Sequence, residues 1–391
     1  MLELAKKEAG WTRVALGEVV RLSRERSRDP AADGFERFVG LEHIDPGSLR
    51  LRRWGHIADG TTFTNVFRPG QVLFGKRRAY QRKVAVASFS GVCSGDIYVL
   101  EPKGNQLLPG LLPFICQTDA FFEHAIGTSA GSLSPRTNWS SLAEFEFLLP
   151  PQEEQKKLVE ALTAAREYID SLDEVTSALE GTLESYLASM AVELTSDFGG
   201  RPLGEVADVK YGLTVNQKRR LSRSLRPYLR VANVARGKLD LREVKSVGLL
   251  PGDEQFELEH GDLVVVEGHA NVNEIGRAAI WKCEIPGALH QNHLIRVRSG
   301  PSAKPEFLLS VLNSSYGKAY FRSRSKSSSG LNTINSTVVK EFLVPVPPRA
   351  KQMSVVQTYA ELSDAIDLLA ERHFNSTRVL SAMLRVLSKA D

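Results

Sequence analysis

A seam of residues spaced alternately four and three apart runs through this chain twice. The first copy follows Pro150-Pro151 and reads Leu158, Leu162, Ala165, Ile169, Leu172, Thr176, Leu179, Leu183, Tyr186 and Met190. The second follows Pro347-Pro348 and reads Val355, Tyr359, Leu362, Ile366, Leu369, His373, Ser376, Leu380, Met383 and Leu387. Laying Gln155 on Gln352 sets the offset at about 197 residues, the kind of internal repeat that decides a fold before any local propensity does. An a/d pattern held over more than four heptads is a coiled-coil signal. One such stripe alone is also what a helix packed on its own domain presents. Two in matched register bury themselves most economically against each other, which predicts a pair of helices of about 35 residues each.

The repeat extends beyond the helices. Leu16-Gly17-Glu18-Val19 returns as Leu203-Gly204-Glu205-Val206, and short strands recur between Gly and Pro turns. Residues 37–41, 71–74, 83–87 and 96–100 read as strands in the first half, and 228–231, 262–266, 278–281 and 294–297 in the second. Helical stretches follow at 111–116 and 305–312, then small polar loops at 127–138 and 323–335. The expected fold class is therefore α+β: two globular domains, 1–150 and 198–347, joined and spaced by two long helices, 151–197 and 348–391, with an internal pseudo-twofold repeat. At 391 residues the chain is too long for one core, in keeping with that division.

Charge is distributed unevenly over these segments. Lys and Arg counted against Asp and Glu give +3 for 1–150, −8 for 151–197, +8 for 198–347 and +1 for 348–391. Basic globular parts suit a phosphate backbone, and an acidic helix suits a basic protein partner or a solvated face. With no membrane-length apolar run, no signal-peptide core in MLELAKKEAGW and only three cysteines without CxxC spacing, a cytoplasmic protein with reduced thiols and no structural metal is expected. No GxxxxGK[ST] phosphate loop occurs, and no Asn/Asp-Pro-Pro-aromatic motif of an amino-methyltransferase, so an enzyme reading finds little support. Cys283, His290 and His293 lack a fourth ligand for zinc.

The strand-to-helix junctions Leu148-Leu149-Pro150-Pro151-Gln152-Glu153-Glu154-Gln155 and Val344-Pro345-Val346-Pro347-Pro348-Arg349-Ala350-Lys351-Gln352 resemble those of the specificity subunits of type I restriction-modification enzymes. So does the turn from Gly75 to Ala85, and Gly268 to Ala279 resembles its other common variant in that family. The resemblance spans nearly the whole chain. It implies two target recognition domains held apart by antiparallel helices, each reading half of a bipartite DNA target. It also implies a non-catalytic chain that directs two methyltransferase subunits, which carry S-adenosylmethionine, and a restriction and translocation subunit. Partner contacts would fall at the junctions, on Glu153, Glu154, Gln155 and Gln352. The competing reading is a coiled-coil scaffold joining two protein-binding domains.

Direct readout of DNA needs Arg or Lys aimed at guanine and Asn or Gln at adenine, beside cations that grip only phosphate. In the first domain Lys76, Arg77, Arg78, Tyr80, Gln81, Arg82 and Lys83 make the strongest candidate. Three groups compete in the second: Lys218, Arg219, Arg220 and Arg223 with Arg226; Arg322, Arg324 and Lys326; and the neutral pair Asn271 and Asn273.

Overall fold

The computed structural model describes residues 10–328 and 330–388; residues 1–9, 329 and 389–391, which include most of the MLELAKKEAGW start and the last residues of the 348–391 segment, lie outside them. The chain divides into two compact units. One runs up to Asp173 and takes back the chain from Glu371; the other is Glu174–Ala370. The expected four segments thus become two bodies, because each long helix contributes one end to each unit.

Both units are built on a four-stranded antiparallel sheet with one order. In the first, β1 (Val20–Leu22), β2 (Val72–Gly75), β3 (Val84–Val86) and β4 (Ile97–Pro102) lie in the order β1-β4-β2-β3. In the second, β5 (Ala207–Tyr211), β6 (Leu263–Val266), β7 (Ala278–Ile280) and β8 (Leu294–Ser299) lie in the order β5-β8-β6-β7. The inner strands β2 and β6 are apolar at successive positions because both of their faces are covered. Val72 and Phe74 face one core and Leu73 another; Leu263 and Val265 are likewise parted from Val264 and Val266. The outer core of each unit packs against a smaller sheet, in which Arg37–Val39 runs parallel to Gly91–Cys93 and Leu225–Leu229 parallel to Leu289–His290.

The inner core is where the helices enter. Helix α1 (Gln152–Phe198) has 47 residues and helix α2 (Arg349–Ser388) has 40; they lie along the segments 151–197 and 348–391 and exceed the 35 or so residues that the paired seams predict. Past Met190 the first is held by Ala191 and Leu194, buried one position out of the seam's register, and it ends at Gly199, whose φ of +69° supplies the left-handed residue that commonly follows a helix. Every expected seam residue is buried or half-buried. The helices pair antiparallel: Leu162 and Ile169 share a core with Leu380 and Leu387 in the first unit, and Leu187, Met190 and Leu194 share one with Val355 in the second. Those cores also hold Phe114 and Phe121, or Phe307 and Phe342, so the seam packs on the domains as well as on its partner helix.

The helix starts correct one expectation. Gln155 is not free to meet another subunit. Its amide donates to Pro150 O at 2.9 Å and Gln106 O at 2.8 Å and accepts from Leu108 N at 2.8 Å. Gln352 repeats the arrangement on Pro347 O, Ser302 O and Lys304 N at 2.9, 2.9 and 2.8 Å. Both side chains are buried, and each satisfies three backbone groups, one in the Pro-Pro turn and two in an earlier loop that packs on it. Of the other two junction residues, Glu154 accepts from Trp11 Nε1 at 2.9 Å, and Glu153 stands in solvent beside Lys156.

Candidate nucleic-acid interface

In the first unit the chain leaves β2 through Lys76 and returns into β3 through Lys83. Between them Ala79–Gln81 makes a single 3-10 turn bracketed by Arg78 and Arg82, each with φ of 54°. Left-handed backbone at a non-glycine residue costs on the order of 1 kcal/mol and persists where the surroundings overdetermine it. Here they do. Arg78 N donates to Pro135 O at 2.7 Å, and the Arg82 guanidinium reaches Gln117 O at 3.2 Å and Asp119 at 2.7 Å while lying over the Phe122 ring.

Several of the candidate cations are engaged within the protein. Lys83 Nζ donates to Leu41 O, and Lys76 Nζ stands 4.6 Å above the Tyr98 ring. Arg77 divides its guanidinium between Asp96 at 3.3 Å and Ser134 at 3.0 Å. Asp96 also takes Arg136 at 2.7 Å, and Arg136 first, then Arg77, holds its carboxyl below the usual carboxylate range. The side chain most fully offered to solvent is Tyr80, 55% exposed, with Gln81 beside it half-buried. Arg136 and Ser134 were not singled out from sequence, because they sit about sixty residues downstream in a loop whose composition suggests only a linker.

In the second unit Asn216 caps the short helix Gln217–Leu221, turning Lys218, Arg220 and nearby Arg223 to solvent. Arg219 is the exception and corrects its assignment. It is buried, its Nη2 lies 2.7 Å from Asp253, and it donates to Thr214 O at 2.9 Å and Gly248 O at 3.2 Å. A guanidinium spent on an internal carboxylate is structural, and it keeps Asp253 below the ordinary carboxylate range. Arg226 pairs with Glu257 at 2.8 Å.

The 323–335 segment, expected to be a loop, forms a hairpin of Lys326–Ser328 and Leu331–Thr333. Its second strand pairs with Gly268–His269, and Asn332 Nδ2 donates to Ala270 O at 2.9 Å. This sheet brings the turn carrying Asn271 and Asn273 together with Lys326, and with Arg322 and Arg324 at the end of the preceding helix. Asn271 caps the turn through Asn273 N at 3.0 Å, whereas the Asn273 side chain is exposed. Backbone pairing of Arg77 with Arg136 joins the equivalent segments in the first unit.

No helix among the described residues is long and apolar enough to cross a membrane. Nor do the described residues hold a group of three His, Cys, Asp or Glu suited to a metal ion. Cys93 and Cys116 are buried, and burial raises the thiol pKa of both, that of Cys93 to about 12. His290 is buried with Nδ1 donating to Phe256 O at 2.9 Å, and desolvation lowers its pKa to about 4.

One sheet order thus occurs twice, each copy packed on the two long helices, with a basic turn after the inner strand of the first and a neutral one after that of the second. Residues 8–180 match the family model described as the type I restriction modification DNA specificity domain. The chain is 24% identical to the StySPI specificity subunit of Salmonella potsdam over 98% of its own length and 89% of that protein. It is 30% identical to the EcoDI specificity subunit of Escherichia coli across 32% of this chain and 28% of that one. The fold is shared with the type I S subunit from M. genitalium at a TM-score of 0.64 and 14% identity, covering 97% of both chains. A chain from structural work on type I complex assembly and conformational transition aligns at a TM-score of 0.57 and 20% identity, over 97% of this chain and 98% of that one. Along nearly its whole length the chain is similar to the specificity subunits of type I restriction-modification enzymes.

Proposed function

We propose that each unit reads one half of a bipartite DNA target and that the chain presents the bound site to partner subunits for adenine methylation and restriction. The observation that carries this reading is the duplication: one sheet order, one buried glutamine and one backbone pairing between the turn after the inner strand and a downstream loop occur in both units. In this reading Tyr80, Gln81, Asn271 and Asn273 approach bases. Lys76, Arg77, Arg78, Arg82, Lys218, Arg220, Arg223, Arg322, Arg324 and Lys326 approach phosphates or guanine. Lys83, turned onto Leu41 O, supports the first loop from behind.

The chain itself is non-catalytic and acts in the cytoplasm. Two methyltransferase subunits bring S-adenosylmethionine, and a restriction and translocation subunit completes the assembly. The acidic, solvent-facing side of α1, with Glu153 at its start, is the surface offered to those partners.

Selection from random duplex DNA, with the purified chain and a type I methyltransferase subunit, tests the reading directly. Two short motifs separated by a fixed unread gap are expected in the bound pool. A single contiguous motif would restrict reading to one unit, and no enrichment from a complex that demonstrably assembles would favour a scaffold instead.

A further inference from the structure

The most exposed large apolar side chain among the described residues is Leu133, 90% open to water. It is not on a slack loop. Ala130 and Arg136 exchange two backbone hydrogen bonds of 3.0 and 2.9 Å, closing a five-residue tip of Gly131, Ser132, Leu133, Ser134 and Pro135 with Leu133 at its centre. Arg77 and Arg78 grip the next residue, Ser134, at 3.0 and 3.4 Å, and Pro135 O holds the strained backbone of Arg78. Three arginines, 77, 78 and 136, thus stand around the tip against one carboxylate, Asp96.

An isolated leucine is too small for a protein interface, which needs several hundred square ångströms of apolar surface. Its small neighbours form a narrow finger in a positive field. A single leucine is also what some DNA-binding proteins drive between base pairs, partly unstacking a step, while cations hold the flanking phosphates. The second unit places Leu331, 42% exposed, just after Gly330 at the tip of its hairpin, with Lys326, Arg322 and Arg324 nearby.

Resting on the DNA-recognition reading above, we infer that Leu133 is an apolar wedge that enters a base step at the half-site read by the first unit, with Leu331 its counterpart in the second. The geometry that assigns it is a fixed, fully solvated leucine framed by arginines that the fold has already oriented.

The test places 2-aminopurine at successive positions across and beside the first half-site and binds each duplex to the chain in complex with its methyltransferase subunit. Signal at the methylated adenine is set aside, because extrusion of that base by the transferase would produce it too. A several-fold rise in fluorescence is expected at one other step. It should vanish in Leu133→Ser, return in Leu133→Met, and leave the melting temperature and salt slope unchanged.

Specific binding with no enhancement at any other position overturns the wedge and leaves DNA recognition standing. Enhancement that persists in Leu133→Ser assigns the distortion elsewhere and also overturns it. Sensitivity only to replacing a thymine by uracil would make Leu133 a groove contact to a methyl group, which is not insertion. Absence of any sequence preference removes the underlying reading, and the wedge with it.

Discussion

Set side by side, the two units share a frame but not a surface. In the first, the turn after the inner strand is strongly basic and tied down: Arg77 to Asp96, Arg82 to Asp119, Lys83 to Leu41 O. In the second, the equivalent turn is neutral, Gly268 to Asn273, and the cations sit on a hairpin and a short capped helix. What is repeated is what positions a loop; what differs is what the loop offers. A frame that keeps its core while exchanging surface chemistry is what the proposed reading of two different half-sites requires.

The largest expected effect breaks the second unit's basic helix from inside. Removing Arg219 leaves Asp253 buried without its guanidinium, and loss of one partner of a buried pair costs about 3–5 kcal/mol. Chemical denaturation of Arg219→Ala should show that loss, while Arg220→Ala, one residue along and exposed, stays within about 0.5 kcal/mol of the parent. Equal, small effects would return Arg219 to the surface set.

The second prediction probes the sameness of the frame. Gln155→Leu and Gln352→Leu each strand three backbone groups, and orphaned buried groups cost about 1–3 kcal/mol apiece before relaxation and water recover part of it. Each variant should lose about 2–3 kcal/mol, with the two losses alike. A loss confined to one of them would show that the two helix starts are not equivalent.

His290 lies in the second unit, and its position in the first-unit repeat is Cys93: both end the strand that runs parallel to the first strand of the smaller sheet. The folded state keeps the imidazole neutral down to about pH 4, whereas the unfolded chain protonates near 6.5. Its contribution is therefore fully present above about pH 6.5 and is lost as pH falls toward 4, up to about 3 kcal/mol in all. Melting curves at pH 7 and pH 4.5 should show the difference shrinking in His290→Gln. An unchanged acid slope would mean that other groups govern acid unfolding.

The seam was legible because helix periodicity is a property of the backbone and needs no knowledge of neighbours; all twenty seam positions were readable from spacing alone. So were the inner strands, which are apolar on both faces. Arg219, Gln155 and Gln352 were misread for a common reason. Residue type says surface, but each is held by a group remote in sequence, Asp253 thirty-four residues on for Arg219 and carbonyls up to fifty residues back for the glutamines. The hairpin at 326–333 was read as a loop because its serines carry no apolar alternation, and its pairing to Gly268–His269 is backbone to backbone. Tyr80 was in the candidate set, but only the two left-handed arginines show that it is presented on a rigid turn.

The smallest effect on stability is the most informative about the surface. Arg220→Ser with Arg223→Ser removes two exposed cations whose side chains pair with no carboxylate among the described residues, so stability should not change and the salt slope of DNA binding should flatten by about two units. Arg77→Ser with Arg78→Ser removes two cations that also hold Ser134 and, through Arg77, Asp96. The slope should flatten similarly, but preference within one half-site should relax as well, because the tip carrying Leu133 loses its anchor. Binding isotherms at several salt concentrations, followed by selection from random duplexes, separate these outcomes. If both pairs changed only the slope, the tied-down turn would be merely a denser patch of positive charge, and its strain would have no part in reading sequence. If the first-unit pair alone altered base preference, the difference between the two surfaces would be the difference between gripping DNA and reading it.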